Sequence, residues 1–315
     1  SPDAIFVPFF GVQAATITGL SRLSRMAGAV VVPCVTRMLP GGPIQSEKNT
    51  SPEAIAAQRA YLGLDRPWYE QLGLQIAHYL MLDLPESFHF KGRGVDEIIA
   101  SGFPVSAAVG FTALIIALGL GVPFGAYAAV KPNTLEDRAT MLAATMGICT
   151  PSMILGPVIA LLLGLKLRWF NASGWYEASD VVMPALTLGI IYSAQIARLT
   201  RGSLRETLAL EFVRTARAKG ASETSVVFLH ALKLACLPVL NFLGPAAAGL
   251  LTGSIVVEAV FQLPGLGQFF IASAINRDMN LAIAISVFYA SLIVLFNLLV
   301  DILQAWLNPR IRLHA

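Results

Sequence analysis

Five stretches of this chain, residues 98–130, 139–165, 181–197, 234–257 and 279–300, contain no Asp, Glu, Lys or Arg. A helix that crosses a bilayer needs about 20 predominantly apolar residues, and each stretch meets or nearly meets that length. Glycines and prolines inside them (Gly119, Gly121, Pro123, Gly125, Gly156, Pro157, Gly244, Pro245) would break a helix in water. Between packed membrane helices they are tolerated and allow close approach. Composition agrees: 56% of residues are hydrophobic and 13% charged, where soluble domains carry about 25%. The expected class is all-α and polytopic, with about six transmembrane helices.

The amino terminus leaves two readings open. Residues 4–21 are uncharged, Arg22 and Arg25 intervene, and residues 26–36 are apolar but short. Either the first stretch spans, or it lies at the interface and a helix near 24–39 crosses. The domain plan is then an N-terminal segment with the first span at 1–39, an outer helical loop at 40–97, and a five-helix core at 98–315. Within the loop, Ser51 and Pro52 suit an N-cap and first helical position, and a second helix is expected from Trp68 to about Leu82.

A polar interruption at 198–233 breaks the apolar pattern. It holds seven basic residues (Arg198, Arg201, Arg205, Arg214, Arg217, Lys219, Lys233) against three acidic ones (Glu206, Glu211, Glu223). Lysine and arginine in short loops set orientation. With the carboxyl terminus inside, the inner side also gains Lys131, Arg138, Arg310 and Arg312, eleven in all, while the short outer loops hold Lys166, Arg168 and Arg277. Both termini and the polar segment are expected in the cytoplasm.

Little here resembles catalysis. No G-x-x-x-x-G-K-[ST] phosphate loop occurs, and Gly119-Leu-Gly121-Val-Pro-Phe-Gly125 lies in an apolar run with no strand before it. His78, His89, His230 and His314 are dispersed, and Cys34, Cys149 and Cys236 have no metal-ligand spacing. The runs lack ionisable residues at their centres; Glu258 and Asp301 stand near run ends. That counts against a proton relay, and so against the rival reading of an ion-gradient-driven secondary transporter. Gln195, Asn241, Thr252, Ser254 and Asn297 either line a translocation path or bond between helices.

A transporter without its own motor must borrow one, and the polar segment is the place to receive it. Leu204 and Leu208, then Phe212 and Ala216, recur at four-residue spacing, so each pair shares a helix face. Gly220 is suited to end the helix. Such a helix serves either to be gripped by a soluble partner or to lie on anionic lipid.

Glu211-Phe-Val-Arg-Thr-Ala-Arg-Ala-Lys-Gly220, with His230-Ala-Leu-Lys and Leu237-Pro238, resembles the coupling loop of bacterial ABC-importer permeases in its peptide-transporter form. Arg37-Met-Leu-Pro40, Leu62-Gly-Leu-Asp-Arg-Pro67, Ala172-Ser-Gly-Trp175, Leu263-Pro-Gly-Leu-Gly267, Asn276-Arg-Asp278 and Asn308-Pro-Arg310 fall in family order. Ser101-Gly-Phe-Pro-Val-Ser-Ala107, Thr200-Arg-Gly-Ser203 and Gly253-Ser-Ile-Val-Val-Glu258 look most like the B-type subunit of oligopeptide importers. The generic loop carries Glu-Ala-Ala where this chain has Arg214-Thr215-Ala216, as is usual in the peptide branch.

The resemblance implies a type I importer permease fold in the bacterial inner membrane. It implies a homologous second permease, two cytoplasmic ATPase subunits that bind ATP and Mg, and a periplasmic or lipid-anchored peptide-binding protein. No cofactor in this chain and no nucleic-acid partner is expected. Glu211, Arg214, Thr215, Ala216, Arg217, Ala218, Lys219, Gly220, Ala221 and Ser222 would contact the ATPase. Related permeases carry oligopeptides, dipeptides, glutathione or nickel.

Overall fold

The computed structural model describes residues 6–9, 12–15, 70, 86–87, 89–90, 92–276 and 278–307. The first expected span near 24–39 and the two outer-loop helices lie outside the described residues. Strands β1 (Phe6–Phe9) and β2 (Val12–Ala15) pair antiparallel, with Phe9 opposite Val12. All other regular structure among the described residues is helical: α1 (Val95–Val130), α2 (Leu135–Cys149), α3 (Ser152–Ile159), α4 (Val182–Leu208), α5 (Glu211–Ala218), α6 (Leu237–Leu251), α7 (Ile255–Phe261), α8 (Leu266–Ile275) and α9 (Met279–Leu307). A π-helical stretch, Ala160–Lys166, prolongs α3, a 3-10 turn, Ala178–Val181, leads into α4, and a mixed helical segment, Glu223–Ala235, precedes α6.

Among the described residues, three helices are long and apolar enough to cross a membrane: Val95–Val130, Ala178–Leu208 and Asn280–Trp306. Three further spans, six in all, follow if each bent pair counts as one crossing: α2 with Ser152–Lys166, Glu223–Ala235 with α6, and α7 with α8. Two expectations need correction here. Residues 139–165 are not one straight helix but turn through 102° at Thr150–Pro151. A residue before proline is driven out of the α region, and Thr150 lies at φ −83°, ψ 116°. Residues 234–257 are likewise not continuous: α6 stops at Leu251, and Gly253 at φ +88° turns the chain into α7. The α7–α8 pair had no counterpart among the five runs, because Glu258 and the Gln262–Gly265 break interrupt its apolar pattern.

The described residues group into two units, one drawn from 1–100 and 269–294, the other from 101–268 and 295–315. In the first, Val95, Ile98, Leu281, Ala284 and Ile285 form a small core. Asp278, fully buried, accepts from Ser87 Oγ, from His89 N–H (3.1 Å) and from Leu281 N–H (3.2 Å), capping α9 and fastening the residues before α1 to it.

In the second unit, glycines set how closely helices approach. A Cβ on Gly121 would lie 2.7 Å from Ile196, and one on Gly147 would lie 2.9 Å from the Ala194 methyl. Small residues at such contacts let membrane helices pack on backbone. The main core gathers Val105, Val109 and Ala113 of α1, Ile159 of α3, Met183, Ala185 and Leu188 of α4, and Val257 and Phe261 of α7. Large apolar residues on α1 (Phe111, Ile115, Phe124) and α3 (Met153, Ile154, Val158) remain exposed, as helices facing hydrocarbon require.

Candidate functional site

The polar segment begins inside α4, whose last turns carry Arg198, Arg201 and Arg205, and continues through α5 into Glu223–Ala235, where Lys233 lies. The turn between α4 and α5 is closed by Leu210 N–H to Thr207 O (3.1 Å) and Val213 N–H to Leu210 O (3.1 Å). Helix α5 ends in two bonds that together define a Schellman motif. Ala221 N–H reaches Ala216 O at 3.2 Å, and Gly220 N–H reaches Arg217 O at 2.9 Å, with Gly220 at φ +85°. Ser222 then caps the next segment by accepting from Ser225 N–H at 3.3 Å.

Only Val213 and Ala216 of α5 are buried. They pack with Leu204, Ala126 and Ala129 and with Val226, Val227, Ala231 and Ala235. The expected face of Phe212 and Ala216 is therefore corrected. Phe212 is 41% exposed, and the inward pair is Val213 and Ala216, three residues apart, because α5 is a new helix and does not continue the phase of α4. Glu211, Arg214, Thr215, Arg217, Ala218, Lys219, Gly220 and Ser222 are exposed, and Ala221 is half-buried. At the end of α5 an ordered charge contact joins Arg217 Nε to Glu223 Oε1 at 2.7 Å, with Nη2 to Oε2 at 3.1 Å. That carboxylate holds the Arg217 guanidinium above its ordinary value. Between exposed partners such a bridge adds little stability; it joins the last turn of α5 to the first turn of the following segment.

The candidate path residues do not gather into one place. Thr252 is buried and donates to Gly249 O (3.1 Å); Ser254 caps α7 by accepting from Val257 N–H (3.4 Å). Both serve their own backbone. Asn241 on α6 accepts from Gln304 Nε2 at 2.7 Å, and Asn297 on α9 packs against Gly244 of α6. These two do lie along one helix contact. Gln195 is half-buried on α4.

Two features were not anticipated. Glu258 is 1% exposed, inside the fold and not at its margin. Ser106 Oγ donates to its Oε1 at 2.6 Å and accepts from Leu266 N–H at 2.9 Å. Glu258 and Ser106 thus cover the N-terminus of α8, where a carboxylate is favoured. Gly253, Gly265 and Gly267 crowd around the carboxylate so closely that none could carry a Cβ without displacing it. The signal available in the sequence was a lone acid followed by Leu263-Pro-Gly-Leu-Gly267. The second feature is a bidentate pair between Arg201 on α4 and Asp137 on α2, Nε to Oδ1 at 2.5 Å and Nη2 to Oδ2 at 2.7 Å. Its 64-residue separation hid it among the basic residues read as topology signals.

Residues 121–313 match the family described as binding-protein-dependent transport system inner membrane component. The chain is 41% identical over 278 residues to the oligopeptide transport system permease protein OppB of Haemophilus influenzae, covering 88% of this chain and 91% of that one. It is 34% identical over 305 residues to the dipeptide transport system permease protein DppB of Bacillus subtilis, covering 97% and 96%. Among solved structures, an inward-facing form of the MetNI methionine ABC transporter gives a TM-score of 0.58 at 18% identity, over 67% of this chain and 96% of that one. At that identity the likeness is one of fold.

Proposed function

The chain belongs to the binding-protein-dependent transport system inner membrane component family, and from that membership we propose that it is the permease subunit of an ATP-driven peptide importer. Its partners in this reading are a second permease, two ATPase subunits that bind ATP and Mg, and an external peptide-binding protein. Both termini and α5 lie in the cytoplasm. The names borne by the H. influenzae and B. subtilis relatives support a peptide cargo, with oligopeptides the first choice and dipeptides the second.

The observation that carries the reading is the form of α5. A helix of eight residues that buries only Val213 and Ala216, with its other six residues exposed, gains little from its own core. Isolated helices shorter than about 12 residues are marginal in water, so a second surface is expected to cover its outer face. Held at one end by the Schellman turn and Arg217–Glu223, it is a compact projection for an ATPase groove. Its movement would reach the pathway through the shared core with α4 and α1.

The test is the complete importer in proteoliposomes, with ATP inside the compartment that faces the ATPase and labelled peptides of two to six residues outside, delivered by the binding protein. ATP-dependent peptide accumulation is expected. Gly220→Asp and Glu211→Lys should leave the chain in the membrane and abolish the dependence of uptake on hydrolysis. Full peptide uptake in those variants would remove the docking assignment. Accumulation that persists without ATP but collapses with an uncoupler would instead favour a gradient-driven transporter.

A further inference from the structure

The Arg201–Asp137 pair occupies a position that nothing in the docking reading uses. Arg201 stands three residues before Leu204, the α4 side chain that packs with Val213 and Ala216 of α5. Its guanidinium crosses to the first turn of α2 and meets both carboxylate oxygens of Asp137, which is 2% exposed while Arg201 is 24% exposed. Asp137 is held from its own side as well: Asn133 N–H donates to Oδ2 at 2.9 Å, and Thr134 Oγ1 accepts from Asp137 N–H at 3.3 Å. A planar guanidinium bound through two parallel hydrogen bonds resists rotation as well as separation. Of the ion pairs among the described residues, it is the most buried.

What lies beyond Asp137 gives the pair its meaning. Helix α2 packs along α4, reaches the 102° turn at Thr150–Pro151 and continues as α3. Helix α3 in turn packs on α4 and α7; a Cβ on Gly156 would lie 3.2 Å from Val260 and 3.5 Å from Phe261. Helix α7 carries Glu258, which caps α8. The pair is thus a polar fastening between α4, which shares a core with α5 through Leu204, and the bent pair that leads to α7.

We propose that Arg201–Asp137 is a transmission strut: it passes displacement of α5 from the end of α4 to the bent α2–α3 pair. Both are positioning residues, and the proposal rests on the importer reading above. Without the strut the apolar contacts between α2 and α4 can slide, and hydrolysis no longer moves the bent pair.

The experiment uses the full importer in proteoliposomes, measuring peptide uptake and ATP hydrolysis on the same preparation, each divided by the amount of assembled complex. Asp137→Asn keeps the side-chain shape and removes the ion pair; peptide moved per ATP should fall about tenfold, inside the range of typical coupling effects, while hydrolysis continues. Arg201→Lys keeps the charge but loses the two-point contact, so its ratio should fall between those of the wild type and Arg201→Gln. A static pin would instead lower complex yield or melting temperature and leave peptide per ATP unchanged in the complex that assembles. That result, in either variant series, overturns the strut. Should Asp137→Asn not assemble, Arg201→Gln and Arg201→Lys are compared in its place, and equal ratios overturn the proposal. If the wild-type importer moves no peptide, the importer reading has failed and not the strut.

Discussion

At Gly220 the backbone lies at φ +85°, and nothing stands within 4 Å of where a Cβ would be. The demand there is conformational and not steric. A side chain in the left-handed region costs roughly 1–2 kcal/mol, with asparagine the mildest choice and β-branched residues the worst. Gly220→Asn is accordingly expected to retain more coupled uptake than Gly220→Val, and equal losses would show that space against a partner governs the site. Gly265 presents the opposite case. Its added Cβ would lie 2.5 Å from Glu258 Oε2 and 2.6 Å from Oε1, in a region where that carboxylate is held by Ser106. Overpacking of this kind costs about 1–3 kcal/mol. Gly265→Ala should lower the melting temperature of the solubilised complex. Because Glu258→Ala removes the group that is struck, the double variant should be more stable than the sum of the singles implies. Strict additivity would mean that Gly265 and Glu258 do not meet.

Among elements, α5 separates stability from docking by two adjacent residues. Val213 is fully buried, so Val213→Ala is expected to cost on the order of 2 kcal/mol through lost burial and cavity formation. Phe212 is 41% exposed, and Phe212→Ala should leave stability within about 0.5 kcal/mol while weakening co-purification of the ATPase subunits. Thermal melts and pull-downs on both variants check this, and reversed effects would mean that α5 presents its other face. This division was only half legible in the sequence. The end of α5 was readable, because Gly220 carries its own conformational reason. The buried face was not, because four-residue spacing was carried from Leu204 and Leu208 across a chain break that only Leu210 and Val213 reveal. Apolar runs gave the three straight spans well. They concealed the bend at Thr150–Pro151, since a proline does not interrupt hydropathy, and they missed α7–α8, since Glu258 does. Long-range polar pairs such as Arg201–Asp137 leave no local periodicity at all.

For the whole molecule, the Lys and Arg count predicts residues 131–138 and 198–222 on one side and Lys166 with Arg168 on the other. Three of the counted charges prove to have local partners, Lys131 with Glu136, Arg201 with Asp137 and Arg217 with Glu223. Pairing does not cancel the orientation argument, because insertion responds to lysine and arginine while Asp and Glu contribute little. The 102° bend does challenge it, since a pair bent that far either crosses or returns to the side from which it came. Only a crossing puts Lys166 outside. Cysteine accessibility separates the two: in a variant with Cys34, Cys149 and Cys236 replaced by alanine, single cysteines are placed on either side of the bent pair, at Lys131 and at Lys166. With a membrane-impermeant maleimide, Lys131→Cys should react in inside-out vesicles and Lys166→Cys in intact cells stripped of their outer barrier. If both react from the same face, α2 and α3 form a re-entrant hairpin. The count of crossings among the described residues then falls by one, and residues 131–138 and 198–222 no longer share a face.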